Sequence, residues 1–153
     1  MVNEIAKYQR RIDCTIDTLA EEVRAVACIV VQDPFVAFRT KDPETLSKKM
    51  RLKNTANIFS IDDVYAIRIV VASVDEVYDI LGKIVGTFPG HLDHDYIREP
   101  KTNPEGKQLR LLQFIAYRNQ APFELQVTTQ EFNEINELLH EHYHHKKYHL
   151  PSL

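Results

Sequence analysis

Apolar residues recur at steps of three and four at the start of the chain: Ile5, Tyr8, Ile12, Ile16, Leu19, Val23 and Val26. That spacing predicts one amphipathic helix over residues 1–26, leading into a core over 27–150. The apolar run "ACIVV" (27–31) follows, and Asp33-Pro34 closes it in the manner of a strand end. "DPETLSKKMRLK" (42–53) reads as a helix with Asp42 as N-cap and Pro43 at its first position. "VYAIRIVVA" (64–72) is β-branched and almost continuously apolar, which predicts a central strand covered on both faces, with Arg68 its one anomaly. Helical period returns in "VDEVYDILGKIV" (74–85), with Gly86 just past its end. Phe88 to Gly106 holds three of the seven prolines and two of the four glycines and reads as polar loop. "LRLLQFIAY" (109–117) and "FELQVTT" (123–129), joined across "RNQA", read as a hairpin. "QEFNEINELLHEHYHH" (130–145) closes the chain as a helix with Phe132, Ile135 and Leu139 on its inner stripe.

Strands interleaved with helices, plus one hairpin, predict an α+β fold: a mixed sheet of about five strands flanked by helices. The 153 residues suit one domain, without internal repeats. A formal charge of −3 gives no global attraction to nucleic acid or to an acidic membrane. No apolar run approaches the ~20 residues of a membrane span, and "MVNEIAKYQRR" lacks the apolar centre of a signal peptide. Cys14 and Cys28 have no paired spacing and read as reduced, core-facing thiols. A cytoplasmic protein without membrane association is expected.

Three constellations could carry chemistry. Between Arg39 and Lys53 six basic residues (Arg39, Lys41, Lys48, Lys49, Arg51, Lys53) face two acids, Asp42 and Glu44. Arg39, Lys41 and Lys49 straddle a helix start with Thr45 in its first turn, either a polyphosphate site or a solvated basic face. Asp63 stands at the mouth of the central strand, and Glu124 lies between Phe123 and Leu125. A carboxylate among apolar neighbours is costly unless paired or metal-bound. Two converging carboxylates suit one Mg2+ with a triphosphate, or are simply acids at a sheet end. Asp63 and Arg68 are an odd step apart, so they would face opposite sides of a strict strand unless Asp63 precedes it or a bulge intervenes. Finally, His140, Glu141 and His144 spell H-E-x-x-H, the helical spacing of a zinc hydrolase.

Taken together these stretches carry a resemblance. "RTKDPETLSKKM" (39–50) is similar to the R-x-K-x-x-x-S-x-x-x-K motif of the RelA/SpoT alarmone synthetases, with Thr45 at the serine. "DVYAIRIVV" (63–71) resembles the family's D-x-x-A-x-R strand, "DYIREPKTN" (95–103) its D-Y-I-x-x-P-K-x-N loop, and "FELQVTT" its E-I-Q-I-R-T strand. Glu137 and "HYHHK" (142–146) fall near its last helix. The motifs come in the family's order and imply a nucleotidyltransferase-like fold. They also account for the closing helix without metal, and since a zincin's third ligand normally lies downstream of His144, zinc is the weaker reading.

The resemblance implies transfer of the β,γ-pyrophosphate of ATP to the 3′-hydroxyl of GDP or GTP. It puts Arg39 and Arg68 on adenine, Lys41, Thr45 and Lys49 on the ATP phosphates, and Asp63 and Glu124 on Mg2+, with Glu124 helping to take the hydroxyl proton. On the acceptor side it places Lys101, Asn103, Lys107, Arg110 and Gln126. The chain departs from the family after Asn103: in place of G-Y-x-S-L-H it reads "PEGKQLRL", putting Lys107 at the tyrosine that stacks on guanine and Arg110 at the histidine. Thr128 stands at the arginine of Q-I-R-T. Three readings stay open: an alarmone synthetase with a remodelled guanine pocket, a pyrophosphokinase with another acceptor such as a different nucleotide or a tRNA 3′-end, and a silent domain that binds nucleotide or a protein partner. The amphipathic first helix leaves a homo-oligomer open.

Overall fold

The computed structural model describes residues 18–57, 60–61, 63–118 and 121–143, the last helix by its side chains as far as Asn136. Helix α1 occupies 18–30. There follow β1 (Phe35–Thr40), α2 (Pro43–Leu52), β2 (Tyr65–Val71), α3 (Val74–Thr87), β3 (Gly90–Asp95), β4 (Lys101–Thr102), β5 (Gln108–Leu109), β6 (Leu112–Arg118), β7 (Ala121–Thr129) and α4 (Gln130–Tyr143). Five strands form a mixed sheet in the order β1-β2-β7-β6-β3, and β4 pairs with β5 apart from it. Among the described residues, only the β2–β7 pair in the large sheet is parallel. The α+β fold with about five strands is therefore as the residue pattern predicts.

Alternation along the strands divides the sheet into two unlike faces. Tyr65, Ile67, Ile69 and Val71 of β2 pack with Phe123, Leu125 and Val127 of β7 into one core. The same core takes Leu19, Val23, Val26 and Ala27 from α1 and Val77, Ile80 and Ile84 from α3. Each Val, Leu, Ile or Phe side chain among them gains about 1.5–3 kcal/mol from burial, so this face holds the sheet together. The residues between them, among them Ala66, Arg68, Glu124, Gln126 and Thr128, point to the other face and are also buried. Helix α4 lies over this second face.

Several elements differ from the sequence reading. "ACIVV" is not a strand but the end of α1: Ala27 is buried and Val30 half-buried on the helix's inner stripe, while Cys28 and Ile29 face solvent. The three-four spacing that begins at Leu19 simply continues through it. Cys28 is accordingly an exposed thiol rather than a core one; Cys14 lies outside the described residues. Asp33, with φ of 55°, turns the chain, and Arg24 holds that turn by donating to Asp33 Oδ1 at 2.9 Å and to the Pro34 carbonyl at 3.1 Å. The first strand comes after that turn.

Strand β3, "GHLDHD", sits where a loop is expected. It is an edge strand with almost every residue exposed, so it lacks the apolar alternation by which strands are read. In α4 the inward residue is Asn136, fully buried, whereas Ile135 is 40% exposed. Leu139 lies outside the described side chains. Helix α3 runs past Gly86 to Thr87 and starts at a capping box, in which Ser73 accepts from the Glu76 N–H and Glu76 accepts from the Ser73 N–H.

Candidate functional site

Asp63 is the hub of the site. It lies two residues before β2, which removes the facing conflict with Arg68. A hydrogen bond from Lys41 N to the Val64 carbonyl (2.9 Å) ties this strand mouth to the end of β1. Lys41 Nζ stands 2.9 Å from Asp63 Oδ2 and Lys49 Nζ 2.8 Å from Oδ1, with Arg39 Nη2 at 3.9 Å. Burial by itself would raise the Asp63 pKa, but Lys41 and Lys49 outweigh it and hold the carboxyl far below the usual carboxylate range. The Lys41 side chain is fully buried, whereas that of Lys49 is 36% exposed, the most open cation of the three.

Helix α2 presents Lys49 to this hub. Its N-cap Asp42 accepts from Thr45 N at 2.8 Å and from Thr45 Oγ1. Thr45, a candidate phosphate ligand, is thus engaged by the cap. The positive charge of this corner comes from the Lys41 and Lys49 side chains, while the first-turn N–H of Thr45 is taken up by the cap.

Strand register places the remaining charges. Arg39, Ala66 and Glu124 lie in one row across β1, β2 and β7, and Ala37, Arg68 and Gln126 in the next. Ala66, the small residue of an otherwise bulky strand, separates Arg39 from Glu124. Glu124 is 8% exposed and accepts from Gln126 Nε2. Burial raises its pKa, the Gln126 hydrogen bond opposes this, and the charge of Asp63 raises it further. The two carboxylates therefore sense each other across the site.

Gln126 links Glu124 to Arg68, accepting Arg68 Nε on its Oε1 at 2.7 Å. Arg68 Nη1 donates to Asn133 of α4 at 3.0 Å. Arg68 is only 1% exposed and Arg39 only 5%, so neither guanidinium offers an open face for a ring to stack on in this arrangement. Sequence reasoning missed Asn133 and its neighbour Asn136. Their signal is two asparagines three apart inside a helix, where that residue is disfavoured unless it bonds something specific.

The acceptor-side candidates divide. Asn103 is the corner of a tight β4–β5 turn: its Oδ1 accepts from Glu105 N and Lys107 N, both at 2.9 Å, and Gly106 adopts φ of +83°. Lys101 and Lys107 are exposed on this hairpin. Arg110 lies over the Phe132 ring with its guanidinium 5.5 Å from the centroid, and its backbone is held by Asn136. Only Gln126 joins the Asp63–Glu124 cluster directly.

His140 and Glu141 fall within α4 by their backbone, but their side chains, and all of His144, lie outside the described residues, as do Glu137's side chain and "HHKKYHL". Among the described residues no group of three or more His, Cys, Asp or Glu side chains could hold a metal ion. No helix among them is long and apolar enough to cross a membrane.

A mixed five-stranded sheet flanked by helices is a fold shared with the small alarmone synthetases. The small alarmone synthetase 1 of Bacillus subtilis bound to its product pppGpp matches with a TM-score of 0.68, covering 94% of this chain and 84% of that one at 16% identity. A GTP pyrophosphokinase family protein from Streptococcus pneumoniae matches at 0.64, covering 93% and 80% at 18% identity. The chain itself belongs to the RelA/SpoT family: the family model described as "Region found in RelA / SpoT proteins" matches residues 38–149. A guanosine-3′,5′-bis(diphosphate) 3′-pyrophosphohydrolase from Haemophilus influenzae is 32% identical over 103 residues, which are 65% of this chain and 14% of that protein. This chain thus corresponds to a small part of that relative's length.

Proposed function

We propose that the protein is an ATP:nucleotide pyrophosphotransferase that moves the β,γ-pyrophosphoryl group of ATP to a 3′-hydroxyl, with GDP or GTP as acceptor. The observation that carries this reading is the Asp63 hub: three cations and a buried second carboxylate, Glu124, gathered at one end of the polar face. Phosphoryl-type transfer is mostly positioning and charge neutralisation, and needs no nucleophilic side chain.

In this reading Lys49 and then Lys41 turn from Asp63 to the incoming polyphosphate. Asp63 and Glu124 would hold Mg2+, to which their hard oxygen donors are suited, and a cation there would ease the ionisation of Glu124, which burial and then the charge of Asp63 oppose. The ion, when bound, neutralises charge on the transferred phosphates. The acceptor 3′-oxygen bonds to the β-phosphorus as the α,β-bridging P–O bond breaks, and AMP leaves. The hydroxyl proton passes to Glu124, the buried second carboxylate of the cluster. For Arg68 to stack on adenine, Asn133 must release it.

The likeness in fold to small alarmone synthetase 1 of Bacillus subtilis, solved bound to pppGpp and bound to AMPCPP, supports nucleotide substrates. Incubation with γ-phosphate-labelled ATP, Mg2+ and GDP tests the proposal. Label appearing on the guanine nucleotide supports it. Label remaining in ATP with GDP, GTP and tRNA alike contradicts it.

A further inference from the structure

The loop where the family's stacking tyrosine is expected carries Lys107 instead, exposed on the β4–β5 turn. Another aromatic faces the site. Between Leu92 and His94 the β3–β6 register shifts by a bulge, so His94 rather than Asp93 pairs with Gln113. Gln113 in turn pairs with Gln126 on the polar face. A bulge of this kind exchanges which residues point to which side, and Asp95 consequently turns the other way, where the Tyr78 hydroxyl of α3 donates to it at 2.8 Å. Tyr96 then comes back to the polar face. Burial raises the pKa of its hydroxyl, and the charges of Asp93 and Glu124 raise it further.

Tyr96 is held firmly. Its N–H donates to the Leu111 carbonyl at 2.9 Å, and Asp95 Oδ1 accepts from the N–H groups of Ile97 and Arg98 to fix the turn beneath it. Its ring is already stacked: the His94 imidazole lies 4.8 Å away, centroid to centroid, at an interplanar angle of 13°. The His94 side chain is 49% exposed and so is the movable partner of the pair.

We infer that Tyr96 is the stacking surface for the base of the acceptor nucleotide, with His94 as its removable cover, in place of the aromatic that the β4–β5 loop lacks. This rests on the proposed transfer reaction for its setting, but binding alone can test it. The shared chemistry is a purine base on a ribose with a free 3′-hydroxyl, supplied by GDP or by the terminal adenosine of tRNA.

The experiment measures calorimetric affinity of the full chain for GDP and for tRNA, with and without a non-hydrolysable ATP analogue. It compares the wild type with Tyr96→Ala, Tyr96→Phe and His94→Ala. Stacking on an aromatic predicts that Tyr96→Ala weakens whichever acceptor binds by about 5- to 150-fold, leaving ATP-analogue affinity unchanged. Tyr96→Phe keeps the ring and retains affinity, and His94→Ala retains or improves it. Equal acceptor affinity in Tyr96→Ala and wild type, or equal losses for acceptor and ATP analogue, would overturn the assignment. So would a wild type that binds neither acceptor. A wild type that binds GDP through Tyr96 yet releases no AMP would leave this inference standing while removing the proposed reaction.

Discussion

Lys41 Nζ and Asp63 Oδ2 are 2.9 Å apart, and the lysine side chain has no exposure to water. A buried ion pair is costly to break from one side, because the remaining charge has neither partner nor solvent; such breaks cost about 3–5 kcal/mol. Lys49 shares the carboxylate at 2.8 Å but can still reach solvent. Asp63 is therefore a structural centre before any nucleotide arrives.

Asp63→Asn is expected to lower stability by about 3–5 kcal/mol and to abolish transfer. Urea denaturation separates the two effects. Lys49→Ala, which removes the half-open partner, is expected to leave stability within about 1 kcal/mol while weakening ATP binding. A Lys49→Ala protein as unstable as Asp63→Asn contradicts this division of labour.

The same hub sets an acid dependence. The folded-state pKa of Asp63 lies below its unfolded value, so its stabilisation is complete above the ordinary carboxylate range and is lost as pH falls through that range towards the folded value. Urea titrations from neutral pH downward should show wild type losing stability across this window. Asp63→Asn should lose less, and equal slopes contradict the assignment.

Glu124 behaves oppositely. Its pKa is raised in the fold, so the folded state resists its ionisation, and stability falls as pH rises from the ordinary carboxylate range through the folded value. Glu124→Gln keeps the shape and can still accept from Gln126. It is expected to be more stable than wild type at pH above that window, equal to it in acid, and inactive. Loss of stability at neutral pH would show that the charge is needed by the fold.

Gly90 has a φ of +155°, and a Cβ there would meet the Ile115 carbonyl oxygen at 2.0 Å. Backbone must move to admit it. Gly90→Ala is expected to cost at least about 1–3 kcal/mol by prising β3 from β6, and to weaken acceptor binding through the displaced His94 and Tyr96. An unchanged thermal midpoint contradicts this.

Asn136 is fully buried, with its Oδ1 accepting from Arg110 N at 3.1 Å and its Nδ2 donating to the Arg110 carbonyl at 3.0 Å. Asn136→Leu leaves the Arg110 N–H without this partner, a loss of about 1–3 kcal/mol. Faster amide exchange confined to α4 and residues 108–111 would show it.

How much of this was legible in the residues depends on where burial has one meaning. Strand β2 was readable because all seven of its residues are buried, so its apolar run is nearly continuous and Arg68 stands out against it. The α2 start was readable from Asp42-Pro43, since capping is local chemistry. "ACIVV" misled because five small apolar residues fit a buried strand and the end of a helix equally, and only the tertiary core decides. Strand β3 was invisible because an exposed edge asks for no apolar alternation. In the site, Asp63, Glu124, Lys41 and Lys49 were legible as a set by motif spacing. The contacts of Asn133 with Arg68 and of Asn136 with Arg110 were not, because they span 65 and 26 residues and each asparagine reads locally as a polar helix position. Tyr96 stands within the stretch 95–103, but its facing depends on a bulge that no residue pattern announces.

The most direct test of the central claim is AMP release from ATP and Mg2+ by wild type and by Asp63→Asn, with no acceptor, GDP, GTP, other nucleotides and tRNA in parallel. The account expects AMP to appear in step with acceptor only when GDP or GTP is present, and to vanish in Asp63→Asn. AMP release that is unchanged in the variant, or absent from wild type with every acceptor, would contradict it.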